Sequence, residues 1–365
     1  MSLKTYVFIF LCLIGLNTAF AQVPEPLDFH LSDVGPTHVW DGDGLLYGVQ
    51  DVVLVNDTLV AAVTFNAPVV HLFSPSSYEF WGDKGEGPGE FEAARSAAWA
   101  SSGLFISDMR PGASRIYEFT VDGNLLSSHT IRDATFVIQL QSAGGEMVFQ
   151  GQDFGSEEIT LYHLTDEATS EILSLSGRPE QRIAPSRGPS LSVPLPFAPA
   201  TPWALLADGR LATWDRESTG LDLFDMNGST VGSLPLPANK HALTAEHQEW
   251  WFEQQFPEGQ TFFGQENVFA EVEREARREL EFPETFPRAM GIRADATQGV
   301  WVRRTPRLSG EIWMLLRSDG PVCTLQLKPG QRLMRVTENW ITTLRSDDTG
   351  DAIELYDRAH VRPGC

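Results

Sequence analysis

A four-residue pattern (apolar, variable, apolar, then large apolar or aromatic) recurs six times along this chain and constrains its fold more than any other feature. The copies are Val70-His71-Leu72-Phe73, Ile116-Tyr117-Glu118-Phe119, Ile159-Thr160-Leu161-Tyr162, Leu221-Asp222-Leu223-Phe224, Ile312-Trp313-Met314-Leu315 and Ile353-Glu354-Leu355-Tyr356, the second departing from the pattern at Glu118. Three of the five intervals span about 41 to 46 residues, the period of a repeated supersecondary unit. Copies are preceded by pairs of apolar strands, as at 97–99 with 104–106, 203–206 with 211–214, and 290–292 with 300–302. Three run into Asp122-Gly123, Asn227-Gly228 or Asp319-Gly320, pairs that tolerate the positive φ of a tight hairpin. Two strands, the recurring strand, a tight turn and a fourth strand make a four-stranded antiparallel unit. The expected fold is all-β, a single six-bladed β-propeller whose radial closure protects most sheet edges. Since only nine residues follow Tyr356, a strand from within 27–40 is expected to complete the last blade.

The two long intervals mark insertions. Residues 176–203 carry seven prolines, from Pro179 to Pro202, and predict an extended, semi-rigid excursion. Residues 243–282 predict two helices broken at Pro257, a small helical insertion between blades 4 and 5. In the second helix Asn267 is the expected N-cap, Val268, Val272, Ala276 and Leu280 form an apolar stripe, and Glu273 can pair with Arg277. The stripe is too short for a coiled coil, so packing on the propeller is expected.

Lys4, an apolar stretch from Tyr6 to Leu16 and the small-x-small site Ala19-Phe20-Ala21 predict an export signal over 1–21, with the propeller occupying 22–365. No stretch reaches the roughly 20 apolar residues that a membrane helix needs. The expected location is periplasmic or extracellular, as a monomer. After loss of Cys12 with the signal, Cys323 and Cys365 remain, and an oxidising compartment predicts a disulfide between them that pins the C-terminus. The alternative is a buried thiol and a frayed terminal one.

The segment Gly82-Asp83-Lys84-Gly85-Glu86-Gly87-Pro88-Gly89-Glu90-Phe91, followed by the second copy and Asp122-Gly123, resembles an NHL-type repeat. The chain resembles secreted bacterial six-bladed propellers with a GxGPGEF segment between blades, although Glu92-Ala93-Ala94 replaces the proline usual after GEF. The resemblance implies the fold. It does not select an activity, because propellers host binding modules, lactonases and lyases alike.

Composition then narrows the partner. A net charge of −22 argues against nucleic acid, which requires a basic face. Yet 23 of the 27 basic residues are arginine. Many fall where strands meet the face that carries both insertions and the GEGPGE loop: Arg95 and Arg288 entering inner strands, and Arg110, Arg216, Arg303, Arg304 and Arg345 leaving second strands. Arginine pairs bidentately with carboxylate or phosphate and stacks on rings such as Trp203 and Trp214. The predicted binding residues are therefore Arg95, Arg288, Arg216, Arg303, Trp203 and Trp214, for an anionic small molecule, a glycan or a protein partner. The competing reading has the arginines paired structurally with Asp108, Asp215, Glu217 and Asp347.

Catalytic patterns are absent: there is no GxSxG, no HExxH and no cysteine with a matching histidine. GEGPG opens no helix, Asp41-Gly42-Asp43-Gly44 reads as a turn rather than a calcium loop because Leu45 follows, and no pattern points to a cofactor. The inner-strand residues expected in the channel are Gln50, Asp51, Arg95, Phe136, Trp203, Arg288 and Met334, a poor hard-cation cage. The expected function is a binding or scaffold module. The alternative is a metal-dependent, lactonase-like hydrolase or an NHL-type lyase using the channel.

Overall fold

The computed structural model describes residues 27–361 apart from 42–43, 45, 88, 101–102, 111, 154, 166–167, 186–189, 258–265, 298, 307 and 309. The predicted export signal, Cys365 and most of the Asp41–Leu45 segment lie outside the described residues, as do the side chains of Asn267 and Val268.

Six antiparallel sheets follow one another along the chain and close into a six-bladed propeller. In chain order the blades span Val49–Trp81, Ala94–Ile131, Phe136–Ser176, Trp203–Pro235, Gly291–Gln326 and Gln331–Asp357. The recurring pattern forms the third strand of every blade. In the fifth blade that strand is apolar on both faces because it is sandwiched between its two neighbours. Trp313 and Leu315 face the cluster shared with the sixth blade, while Met314 and Leu316 face the one shared with the fourth. One apolar cluster fills each of the six blade–blade interfaces, so the core is distributed around the ring.

The last blade is completed from the other end of the sequence: His38–Trp40 pairs antiparallel with Gly350–Asp357 as its outer strand. A further strand, Leu27–His30, lies parallel to Gly320–Gln326 and gives the fifth blade five strands. The Asp-Gly and Asn-Gly turns form as the sequence requires. Gly123 and Gly228 have φ of 81° and 76°, and a Cβ on Gly228 would sit 2.2 Å from Ile172 O.

Both long intervals are outer-to-inner connections, so the insertions share one face. The proline-rich segment does more than extend. It folds into a hairpin of Glu180–Ile183 with Leu191–Pro194. Helices α1 (Ala245–Gln255) and α2 (Glu266–Glu279) pack on it through Ile183, Val193, Phe197, Trp251, Val272 and Ala276. The insertions thus bury each other's apolar faces in a common cap. Helix α2 begins at Glu266, so Asn267 lies in its first turn rather than at its cap. Arg277 donates to Glu273 at 2.8 Å as expected, and also to Glu249 of α1 at 2.7 Å.

Candidate functional site

The first strand of each blade lines a central channel, and in four consecutive blades this strand is bulged near its start. The pairing register shifts between Leu333 and Arg335, Val49 and Asp51, Ala94 and Ser96, and Val137 and Gln139. A bulge places two residues opposite one and re-aims the extra side chain. Here those residues are Met334, Gln50, Arg95 and Ile138, and all four line one cavity of about 340 Å³ at the cap-side mouth.

Five arginines line this cavity, Arg95, Arg293, Arg303, Arg332 and Arg335, against two carboxylates, Asp51 and Glu311. Both carboxylates are engaged. Asp51 accepts from Arg335 at 3.0 Å, Ser96 Oγ at 2.7 Å and Ala97 N at 3.1 Å. Glu311 accepts from Arg303 at 2.9 Å and Trp313 Nε1 at 2.8 Å. The other guanidiniums lean on neutral acceptors: Arg95 on Gln50 Oε1, Arg332 on Val49 O and Arg293 on its neighbour Ile292 O at 3.3 Å. The Nε groups of Arg95, Arg293, Arg303 and Arg332 are buried and have no hydrogen-bond partner among the described residues. Burial, together with the charge of Arg335, pushes the Arg293 pKa down to about 10, and burial lowers that of Arg332. These cations are held where an incoming anion would be favourable.

Of the predicted binding residues, Arg95, Arg303 and Trp203 meet at this mouth, and Trp203 donates to Gln150 Oε1 at 2.8 Å. Arg216, Arg288 and Trp214 line a different cavity, beneath the cap with Pro196, Phe197 and Phe286. Arg288 is tied to Leu236 O at 2.7 Å. The six residues therefore do not form one site. Among the expected channel residues, Arg288 and Phe136 do not line the mouth, whereas Gln50, Asp51, Arg95, Trp203 and Met334 do.

Structural pairing accounts for other arginines. Arg110 bonds Asp108 at 2.7 Å and holds Gly85 O and Glu90 O, fixing the GEGPGEF connection, while Asp108 also accepts from Glu92 N and Ala93 N. Arg345 pairs with Asp347 and Glu354. Asp215, by contrast, accepts from Glu217 N, and among the described residues no arginine pairs with it. Among the described residues no group of three or more His, Cys, Asp or Glu side chains is placed to hold a metal ion, and no helix is long and apolar enough to cross a membrane.

No family model and no curated protein matches the sequence. Solved structures do resemble it. Regucalcin, a calcium-binding protein of Agrobacterium tumefaciens strain C58, is 11% identical with a TM-score of 0.48, covering 91% of this chain and 97% of its own. Streptogramin B lyase is 12% identical with a TM-score of 0.44, covering 86% and 83%. Virginiamycin B lyase of Staphylococcus aureus is 10% identical with a TM-score of 0.41, covering 88% and 87%. These similarities are of architecture and assign no role to any residue of this chain.

Proposed function

We propose that the protein is an exported binding module whose cap-side channel mouth captures a ligand with more than one anionic group, such as a uronate-bearing glycan or an acidic peptide. The observation that carries this reading is the cluster of five arginines around a 340 Å³ cavity that offers only two carboxylates in return. A structural role would match the charges, as it does for Arg110 with Asp108. Leaving guanidinium N–H groups buried without partners costs free energy that a bound carboxylate would recover.

Calorimetric titration with oligogalacturonate and with an aspartate-rich peptide tests the reading. Binding that weakens as salt rises, and that is lost in Arg332→Gln, supports it. No binding by either anion would overturn it. The alternative, a metal-dependent hydrolase or a lyase acting in the channel, requires free donors at this mouth, and Asp51 and Glu311 are already taken up by arginine. Metal analysis of the purified protein together with a lactone-hydrolysis assay separates the two.

A further inference from the structure

The channel has a second cavity, of about 300 Å³, at the end away from the cap, and its chemistry is the reverse of the first. The later halves of all six inner strands build it. Its lining is mainly apolar, with Leu54, Ala143, Ala294 and the Trp99 ring, and carries Gln141, Ser142 and Thr337 as neutral polar groups. Arg293 and Arg335 line both cavities, so their guanidiniums form the partition between a polar mouth and an apolar one. Arg335 is committed to Asp51 and to Ala97 O. Arg293 is not: among the described residues it donates only to Ile292 O, and its Nε has no partner. The one carboxylate lining the apolar cavity, Asp295, is fully buried and already occupied by Trp301 Nε1 at 2.8 Å, by Thr297 and by Arg358 at 2.8 Å. It therefore neither neutralises Arg293 nor repels an anion strongly.

We infer that this cavity is a separate site for a small amphipathic monocarboxylate, whose apolar body lies along the Trp99 wall and whose carboxylate reaches the Arg293 guanidinium at the partition. Apolar walls supply affinity through burial but little orientation, and a few placed polar groups supply the latter. A cation at the end of an apolar cup selects a molecule with one charged end, since a second charge would be desolvated without a partner. At roughly 30 Å³ per water-sized group the space suits about ten non-hydrogen atoms, the size of octanoate.

The test is calorimetric titration of the full chain with three probes: octanoate, 1-octanol and acetate. Octanoate is expected to bind, with octanol and acetate each weaker by roughly tenfold or more, the factor of one charge-assisted hydrogen bond or of a few buried methylenes. Arg293→Gln should bring octanoate down to the level of octanol and leave octanol unchanged. Should that variant fail to fold, Trp99→Ala, in the cavity wall, must still weaken octanoate. Arg95→Gln, at the other mouth, should leave octanoate binding intact. The inference is overturned if octanoate does not bind up to low-millimolar concentration, if octanol or acetate binds equally well, or if Arg95→Gln abolishes octanoate binding. Its failure is distinguishable from failure of the polyanion reading, which is tested with different ligands and through Arg332.

Discussion

Arg335, on the inner strand of the last blade, donates to Asp51, on the inner strand of the first, at 3.0 Å, and so bridges the seam where the ring closes. The bridge continues around the channel. Asp51 accepts from Ser96 Oγ in the second blade, and Ser96 Oγ in turn accepts from Leu140 N in the third. Four blades are thus joined by one chain of polar contacts through a largely buried carboxylate.

That arrangement makes Asp51 structural first. Replacing it with Ala leaves the Arg335 charge and the Ser96 hydroxyl without their acceptor, and removing one partner of a buried pair costs about 3 to 5 kcal/mol. Chemical denaturation of Asp51→Ala should show that loss. A change within about 0.5 kcal/mol would mean that the network contributes little to ring closure.

A second buried pair ties the last blade to its other neighbour. Arg358, after the last strand, meets Asp295 of the fifth blade at 2.8 Å, with 7% and 0% of the two side chains exposed. Arg358→Ala should destabilise by about 3 kcal/mol or more. Arg358→Ala with Asp295→Asn should recover part of the loss, because the stranded charge is then gone. A double variant no more stable than the single one would argue against this pairing as the cause.

The ring was legible in the sequence because its core-forming strands repeat: a third strand packed between neighbouring blades is apolar or aromatic at the first and fourth positions of the pattern in all six copies, and at every position in Ile312–Leu316. The closing strand was also legible, because the last blade runs out of chain. The site was only half legible. Alternation assigns one inward residue to every two, but the bulges at Gln50, Arg95, Ile138 and Met334 break that alternation where the mouth forms. Arg332 and Arg335 flank one bulge and line the cavity together, and Arg293 sits one turnover deeper than the strand-entry positions on which the reading of Arg288 relied. Two arginines three residues apart in a short apolar strand, Arg332 and Arg335, were the signal that a strict period of two discards.

His71 sets an acid limit. It is 1% exposed, its Nε2 donates to Pro68 O at 2.9 Å and its Nδ1 accepts from the Tyr78 hydroxyl at 2.8 Å. Burial lowers its pKa from the ordinary 6.5. As pH falls through 6.5 the unfolded chain takes up a proton that the folded one refuses, so stability declines below that pH by at most about 1.4 kcal/mol per unit for this group. His241 and His247 shift the same way through burial. Denaturation midpoints at pH 7.5, 6.5 and 5.5 should fall in that order, and His71→Gln should flatten the decline. An unchanged slope would assign the acid sensitivity to other groups.

Cys323 is buried and disulfide-bonded. The expected partner is Cys365, and peptide mapping without reduction should recover the two in one cross-linked fragment. A loop of this length predicts a loss of about 4 kcal/mol on reduction. Two free thiols in protein exported under oxidising conditions would remove the basis for this expectation.

The last prediction separates the two arginines that strand position alone treats alike. Arg95 faces the channel mouth with a buried Nε that has no partner among the described residues, while Arg288 lies under the cap, bonded to Leu236 O. If the mouth binds anions, Arg95→Ala weakens an oligogalacturonate complex by about 1.5 to 3 kcal/mol, the contribution of a hydrogen bond to a charged group, and leaves the melting temperature nearly unchanged. Arg288→Ala should do the opposite: binding is preserved, and stability drops by about 1 kcal/mol with the lost tie to Leu236. Titration and thermal melts of the two variants decide the matter. Equal losses of binding in both would place the ligand under the cap as well as in the channel, and a stability loss with unchanged binding in Arg95→Ala would make the arginine cluster structural.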